Sequence, residues 1–233
     1  MIIDYLGHSG FLFETDRELL LFDYYRGDLS LLRQKPKEKP LFVFVSHVHG
    51  DHYNPNIFTL ADGYRSVTFL LSFDLKGDHC IPSNHEIIYV DEDQTYAVED
   101  LGTVQTLRST DEGVAFLVAT SKEVIFHAGD LHWWDWPGED PEWLKEQEIV
   151  FQREIQKIEK TTIDVACVVL DDRLEENYAR GMEYFLQKCH PRYVIPMHFW
   201  KDQSVVDRFN LRPGEWKTDT ILLNTAKDNH WKI

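Results

Sequence analysis

Three histidines and one aspartate lie within six consecutive positions of the segment Val45-Ser46-His47-Val48-His49-Gly50-Asp51-His52. An apolar run at residues 41–45 comes directly before them and predicts a buried strand. Because side chains alternate along a strand, His47 and His49 leave the sheet on the same side. The turn that follows can aim Asp51 and His52 at a second point nearby. Imidazole nitrogen and carboxylate oxygen are the ligands that Zn²⁺ prefers after thiolate, so the segment indicates two adjacent metal ions, an arrangement used for hydrolysis.

The pattern His-x-His-x-Asp-His after a hydrophobic strand resembles the metallo-β-lactamase superfamily. Four more segments follow the order and spacing of that superfamily: Tyr5-Leu6-Gly7-His8-Ser9-Gly10-Phe11-Leu12, Asp23 after Leu19-Leu20-Leu21-Phe22, Phe126-His127-Ala128-Gly129-Asp130, and Tyr193-Val194-Ile195-Pro196-Met197-His198. The opening segment is similar to the branch that contains ascorbate-phosphate lactonase and its relatives. The resemblance implies an α+β fold, a four-layer αββα sandwich, and a metal-dependent hydrolase.

The resemblance also implies a set of metal ligands and a cofactor. The ligands are His47 and His49 for a first ion, Asp51, His52 and His198 for a second, and Asp130 between them. The expected cofactor is Zn²⁺, as one ion or two. A hydroxide between the ions would be the nucleophile, since metal binding lowers the pKa of water to about 7.

One position departs from the superfamily pattern. A further histidine is expected after the strand at residues 104–107, but the chain has Arg108-Ser109-Thr110-Asp111-Glu112-Gly113 there. Asp111 is either a replacement ligand or a turn residue before Gly113. The first metal site is then weaker, richer in oxygen ligands or empty, and Mn²⁺ or Fe²⁺ becomes an alternative to zinc.

Other residues are candidates for supporting roles. Asp23 suits the acceptor that a metal-bound histidine usually needs for its second ring nitrogen. His8 either faces the same cavity or is a structural histidine. His132 lies past the strand that precedes Asp130 and could enter the pocket as a proton donor. The catalytic candidates are therefore Asp51, Asp130 and His132.

A cluster of tryptophans follows Asp130 in the segment Leu131-His132-Trp133-Trp134-Asp135-Trp136-Pro137, and Trp143 comes soon after. These indoles either form a pocket wall or pack a helix predicted over residues 141–160, and a subunit contact is a further alternative. His127 points away from Asp130 if the strand continues, so a structural role is expected for it.

Composition limits the kind of protein and its partners. The chain has 233 residues, 43% of them hydrophobic, without a linker-like stretch, so we expect a single domain over residues 1–233. A net charge of −16 repels polyanions, which argues against nucleic acid as a partner and for a small-molecule substrate. The three cysteines show no pairing pattern. No apolar run suits a membrane span, and no export signal is evident. We therefore expect a cytoplasmic location. The oligomeric state cannot be read from the sequence.

Strand patterns dominate residues 1–90 and 95–126, and further strands are predicted at 165–170 and 193–197. Helices are predicted after Pro55, over 141–160 and over 175–188. The leading hypothesis is a hydrolase of an ester, lactone or phosphodiester of a small molecule. A nuclease of the same superfamily and a metal-binding protein without catalysis are the alternatives.

Overall fold

Two β-sheets pack face to face. The computed structural model describes residues 1–27, 30–61, 63–82, 85–200, 202–212, 214 and 219–233. The strands are β1 Ile2–Gly7, β2 Gly10–Glu14, β3 Leu19–Phe22, β4 Leu41–Val45, β5 Val67–Ser72, β6 Glu86–Val90, β7 Thr95–Val98, β8 Gly102–Arg108, β9 Val114–Ala119, β10 Val124–His127, β11 Val165–Val169, β12 Tyr193–Met197, β13 Ile221–Leu222 and β14 His230–Lys232. Across the described residues, the order is β14-β1-β2-β3-β4-β5-β6 in the first sheet and β13-β12-β11-β10-β9-β8-β7 in the second.

Strand β4 is apolar on both faces because it separates two cores. Phe42 and Phe44 lie in the core between the sheets, with residues of both. Leu41, Val43 and Val45 point the other way and join a second core. This alternation is what a central strand covered on both faces requires.

Helices cover the outer face of each sheet. In the first layer, α1 (Ser30–Gln34) and the 3₁₀ helix Pro55–Ala61 contribute to the same core as β4. A further 3₁₀ helix, Phe73–Leu75, adds Leu75 to this core. The α-helices that share a core with the second sheet are α2 Pro141–Ile158, α3 Arg180–Cys189 and α4 Ser204–Leu211. The order helix, sheet, sheet, helix confirms the predicted α+β sandwich. Among the described residues, none of these helices is both long and apolar enough to span a bilayer.

The helix predicted over residues 175–188 is wrong over residues 175–179. Residues Asp172–Asn177 form a 3₁₀ helix that is interrupted at Glu175, whose φ is 53°. The carboxylate of Asp171 accepts a hydrogen bond from the backbone N–H of Arg173 and so fixes this tight turn. A non-glycine residue in the left-handed region cannot continue an α-helix, and α3 begins only at Arg180.

The carboxyl ends of parallel strands place the candidate site residues at one edge of the sandwich. Strands β3 and β4 run parallel in the first sheet, and β10, β11 and β12 run parallel in the second. The segments that follow these five strands carry Asp23, His47, Asp130, Asp171 and His198, respectively. Ligands commonly bind at such strand ends in open α/β sheets.

Candidate metal centre

Three imidazoles aim a ring nitrogen at Asp130. Nε2 of His52 lies 3.1 Å and Nε2 of His198 lies 3.4 Å from Asp130 Oδ1. Nε2 of His47 lies 3.6 Å from Asp130 Oδ2. All four side chains are buried, and these nitrogens and Oδ1 have no hydrogen-bond partner among the described residues. Since buried polar atoms are nearly always paired, this group of nitrogen and oxygen donors fits a bound metal ion.

Asp23 orients His52 and the start of the histidine loop, which comprises residues 46–52. Its Oδ2 lies 2.7 Å from His52 Nδ1, and its carboxylate accepts hydrogen bonds from the Ser46 backbone N–H at 2.8 Å and hydroxyl at 2.6 Å. The Ser46 hydroxyl also lies 2.9 Å from His47 Nδ1. Burial alone would raise the pKa of Asp23, but the neighbouring imidazoles of His52 and His127 lower it. The acceptor role predicted for Asp23 is confirmed.

Asp171 plays the same part for His198. Its Oδ2 lies 3.0 Å from His198 Nδ1, and its carboxylate also accepts from Nε and Nη2 of Arg173. Although burial opposes ionisation, these hydrogen bonds hold the pKa of Asp171 well below its usual range. The ring of His198 is thereby fixed with Nε2 directed at Asp130.

The protonation states of the centre follow from burial and from neighbouring charges. Burial lowers the pKa of His47 to about 4, so this imidazole is neutral at pH 7. Burial also opposes a charge on His52, but the carboxylates of Asp130 and Asp23 raise its pKa well above the ordinary value. The pKa of Asp130 is held well below its usual range by His198 and His52, against the effect of burial. A metal ion at this centre would need the coordinating nitrogen of each histidine free of its proton, so its binding would depend on pH.

His49 and Asp111 form the more open side of the centre. Ligand atoms of His49, Asp111 and Asp130 all lie within 4.8 Å of one another, and His49 Nδ1 is 4.0 Å from Asp111 Oδ2. The side chains of His49 and Asp111 are 43% and 46% exposed. Burial and the nearby Asp130 carboxylate raise the pKa of Asp111. Asp111 therefore lies beside His49 and Asp130, and its backbone N–H donates to Ser109 Oγ within a turn, so its position suits both of the roles considered for it.

Asp51 belongs to a second group, with His8, His52 and His198, whose ligand atoms also lie within 4.8 Å of one another. Nε2 of the buried His8 lies 3.1 Å from Asp51 Oδ2. Burial opposes ionisation of Asp51, but this hydrogen bond keeps its pKa below the usual range. Of the two roles left open for His8, the structure favours the one at the centre, in contact with Asp51.

Two histidines near Asp130 lie away from these groups. His127 Nε2 donates to the Ser9 carbonyl at 2.9 Å and Nδ1 accepts from the Gly129 N–H at 3.1 Å, which confirms its structural role. His132 is fully buried, has no hydrogen-bond partner at either ring nitrogen among the described residues, and is absent from the cavity wall that they form. Burial lowers its pKa to about 3. The structure does not bring His132 to a place where it could donate a proton to a bound substrate.

A cavity of about 570 Å³ opens beside the metal-ligand groups. Its wall includes Trp134, Trp136, Trp143 and Trp200. Trp133 instead packs on the helices, with its ring 6.3 Å from that of Phe151. Both roles considered for the tryptophan cluster are therefore present, in different residues.

Sequence reasoning missed Asp171, Arg173 and Ser46. Asp171 had a usable signal, because it follows a buried strand directly, as His198 does. Ser46 also follows a buried strand, β4, but its hydrogen bond with the remote Asp23 could not be read from the sequence, and Arg173 lies in a turn that carries no such signal.

Comparisons with known proteins agree with this fold. Residues 2–135 match the family described as Beta-lactamase superfamily domain. A UPF0173 metal-dependent hydrolase of Opitutus terrae is 28% identical over 215 residues, covering 85% of this chain and 85% of the relative. A UPF0173 metal-dependent hydrolase of Desulforamulus reducens is 24% identical over 214 residues, covering 85% and 84%. The structure of Igni18, a metallo hydrolase of Ignicoccus hospitalis, shares the fold with a TM-score of 0.65 at 15% identity, covering 100% of this chain and 98% of that chain.

The family match spans more than half of the chain, and the chain belongs to the beta-lactamase superfamily. The fold, the His/Asp groups and the relatives together identify it as an enzyme of this superfamily.

Proposed function

We propose that the protein is a metal-dependent hydrolase that cleaves an ester, lactone or phosphodiester bond of a small molecule. The observation that carries this proposal is the convergence of three buried, unpaired imidazole nitrogens on Asp130 beside a cavity of about 570 Å³. A cavity of this size suits a small-molecule ligand.

The proposed metal is Zn²⁺, with Mn²⁺ or Fe²⁺ as alternatives. The residues that would hold it are those of three overlapping groups: His47, His52 and Asp130; His49, Asp111 and Asp130; and Asp51, His52 and His198, with His8 beside them. When bound, the metal supplies Lewis acidity and lowers the pKa of a water molecule to about 7.

The protein's own contribution is orientation. Asp23 and Asp171 hold the Nδ1 atoms of His52 and His198, which leaves each Nε2 aimed at Asp130. Trp134 Nε1 donates to the Asp130 carbonyl at 3.1 Å and so steadies the loop that carries this carboxylate. The indoles of the wall limit the access of water to one side of the cavity and offer an apolar surface to substrate.

Two alternative functions are a nuclease and a metal-binding protein without turnover. A nuclease is disfavoured because a net charge of −16 repels a polyanion. A metal-binding protein without turnover is the stronger alternative, because an exposed aspartate, Asp111, stands where a further histidine is expected.

Protein purified without added metal should be assayed for metal content and for hydrolysis of 4-nitrophenyl acetate, γ-butyrolactone and bis(4-nitrophenyl) phosphate. We expect turnover of at least one bond class, loss of that turnover on chelation, and recovery when Zn²⁺, Mn²⁺ or Fe²⁺ is restored. Metal binding without turnover of any compound would favour the non-catalytic alternative, and turnover unaffected by chelation would refute the proposal.

A further inference from the structure

The cavity wall contains a cation that is held between two indole rings. The guanidinium carbon of Arg173 lies 5.3 Å from the ring centroid of Trp136 and 5.3 Å from that of Trp200. Its Nε and Nη2 donate to Asp171, which fixes the plane of the guanidinium group. In the described part of the chain, no acceptor bonds Nη1. A rigid guanidinium group with a donor that no described residue engages is suited to binding an anionic oxygen.

Charge is distributed unevenly along this cavity. The carboxylates of Asp51, Asp111 and Asp130 line it and belong to the proposed metal sites. Arg173 is the sole lysine or arginine among the described residues of the wall, and its side chain is 43% exposed. Asp130 is only 4% exposed, so the guanidinium lies nearer the mouth than this carboxylate does.

Flat apolar surface surrounds the guanidinium. The rings of Trp134 and Trp136 are nearly parallel, 3° apart, with centroids separated by 5.8 Å. Trp143 and Trp200 are 37% and 39% exposed although both line the cavity. Exposed indoles grouped around one cavity indicate a binding surface for a planar or apolar group.

We infer that the substrate carries an anionic group, which Arg173 binds, next to a planar apolar portion that lies against the exposed indole of Trp143. This inference rests on the proposed function for the chemistry at the metal centre. A cationic ligand would suit tryptophans equally well in isolation. Here Arg173 already occupies the position between Trp136 and Trp200 and would repel a second cation.

The chain offers a matched control for Arg173. Arg180 also lies over an indole, 5.6 Å from the centroid of Trp133, and also pairs with an aspartate, Asp135. Its side chain is 47% exposed, close to the value for Arg173, but it does not line the cavity. An effect of Arg173→Gln that Arg180→Gln lacks therefore reports on the cavity, and not on the loss of a cation stacked on tryptophan.

The test measures ligand binding to the metal-loaded, full-length protein. Quenching of tryptophan fluorescence is the readout of binding. The probes are naphthalene-2-sulfonate, an anion that is a poor metal ligand, and the neutral naphthalene-2-methanol. We expect the wild-type protein to bind the sulfonate about tenfold or more tightly than the alcohol. The reason is that Arg173 can donate a charged hydrogen bond to the sulfonate but only a weaker one to the neutral alcohol. Arg173→Gln should remove this preference and leave the affinity for the alcohol unchanged, Arg173→Lys should retain part of it, and Arg180→Gln should retain it all.

Metal content is measured for each variant, because Arg173 also contacts Asp171. Equal affinity of the wild-type protein for both probes, or an equal loss of preference in both glutamine variants, would overturn the inference. Binding needs no turnover, so the two proposals fail separately. An Arg173-dependent preference in a protein that hydrolyses nothing would refute only the proposed function.

Discussion

Asp171 lies outside the proposed set of metal ligands and acts on the centre through His198. Its carboxylate lies between His198 Nδ1 and the guanidinium of Arg173. Asp171→Ala removes the acceptor that fixes the ring, so we expect the affinity for the metal to fall by roughly 10- to 100-fold. Metal titration by calorimetry measures this, with Asp172→Ala as the neighbouring control. Equal affinities in wild-type and Asp171→Ala protein would show that His198 needs no such support.

Asp111 decides the composition of the first site. If it replaces the missing histidine, Asp111→Ala should lower the first-site metal content and hydrolysis together. Asp111→His should favour Zn²⁺ over Mn²⁺ or Fe²⁺, since a third imidazole makes the site softer. The second site keeps its full expected set of ligands and should bind metal more tightly than the first. Two full metal equivalents in the alanine variant would assign Asp111 to the turn alone, with Glu112, 3.9 Å from His49 Nε2, the next candidate.

The buried His132 should make the metal-free protein sensitive to acid. Its pKa is about 3 in the folded state and about 6.5 when unfolded, so between these values the unfolded state binds more protons. Stability contributed by this residue is therefore lost as the pH falls from about 6.5 towards 3. His132→Leu should reduce the loss of unfolding free energy between pH 7 and pH 5 by about 2 kcal/mol, measured by urea denaturation. An unchanged difference would mean that His132 is protonated or solvated in the folded protein.

At the level of elements, the histidine loop is held against the second sheet by close backbone contacts. Gly113 has a φ of 67°, and a Cβ added there would lie 2.0 Å from the Ser46 carbonyl oxygen and 2.6 Å from His47 Cβ. The Val114 N–H donates to the same carbonyl at 2.9 Å. The turn that carries Asp111 can therefore approach the histidine loop only because residue 113 lacks a side chain.

Gly113→Ala should accordingly destabilise the protein and disturb the metal centre. Gly138→Ala is the matched control, because its φ of 84° carries the same strain while its added Cβ meets nothing within 4 Å. We expect roughly 1 kcal/mol of destabilisation for Gly138→Ala and clearly more for Gly113→Ala, with lower metal content in the latter alone. Similar losses of unfolding free energy in both variants would remove the steric contact from the explanation.

Strands were predictable from the sequence where the pattern is local, and their pairing was not. The apolar run of β4 and the turn residues around β8 and β9 placed these strands to within a few residues. No local sequence feature predicted that β14 pairs with β1, with Ile3 opposite Trp231. The same limit applies to the site. The motif residues pointed to His47, His52 and Asp130, whereas the contacts of Arg173 and the burial of His132 depend on tertiary packing.

For the whole molecule, the two sheets place His47 and His52 on one side and Asp130 and His198 on the other, so that the centre exists only in the assembled sandwich. A metal held across the sheets should therefore stabilise the folded state by mass action. The net charge of −16 also favours cations near the surface over polyanions.

The most direct measurement combines metal content and turnover in Asp130→Ala and His52→Ala, with Asp135→Ala as a control from the same loop as Asp130. Circular dichroism verifies that each variant is folded, because Asp130 and His52 are buried and their replacement also removes packing contacts. We predict that Asp130→Ala and His52→Ala lose bound metal and all detectable hydrolysis, while Asp135→Ala keeps both. Wild-type turnover in a folded Asp130→Ala or His52→Ala protein would contradict the assignment of this centre as the site of metal-dependent hydrolysis.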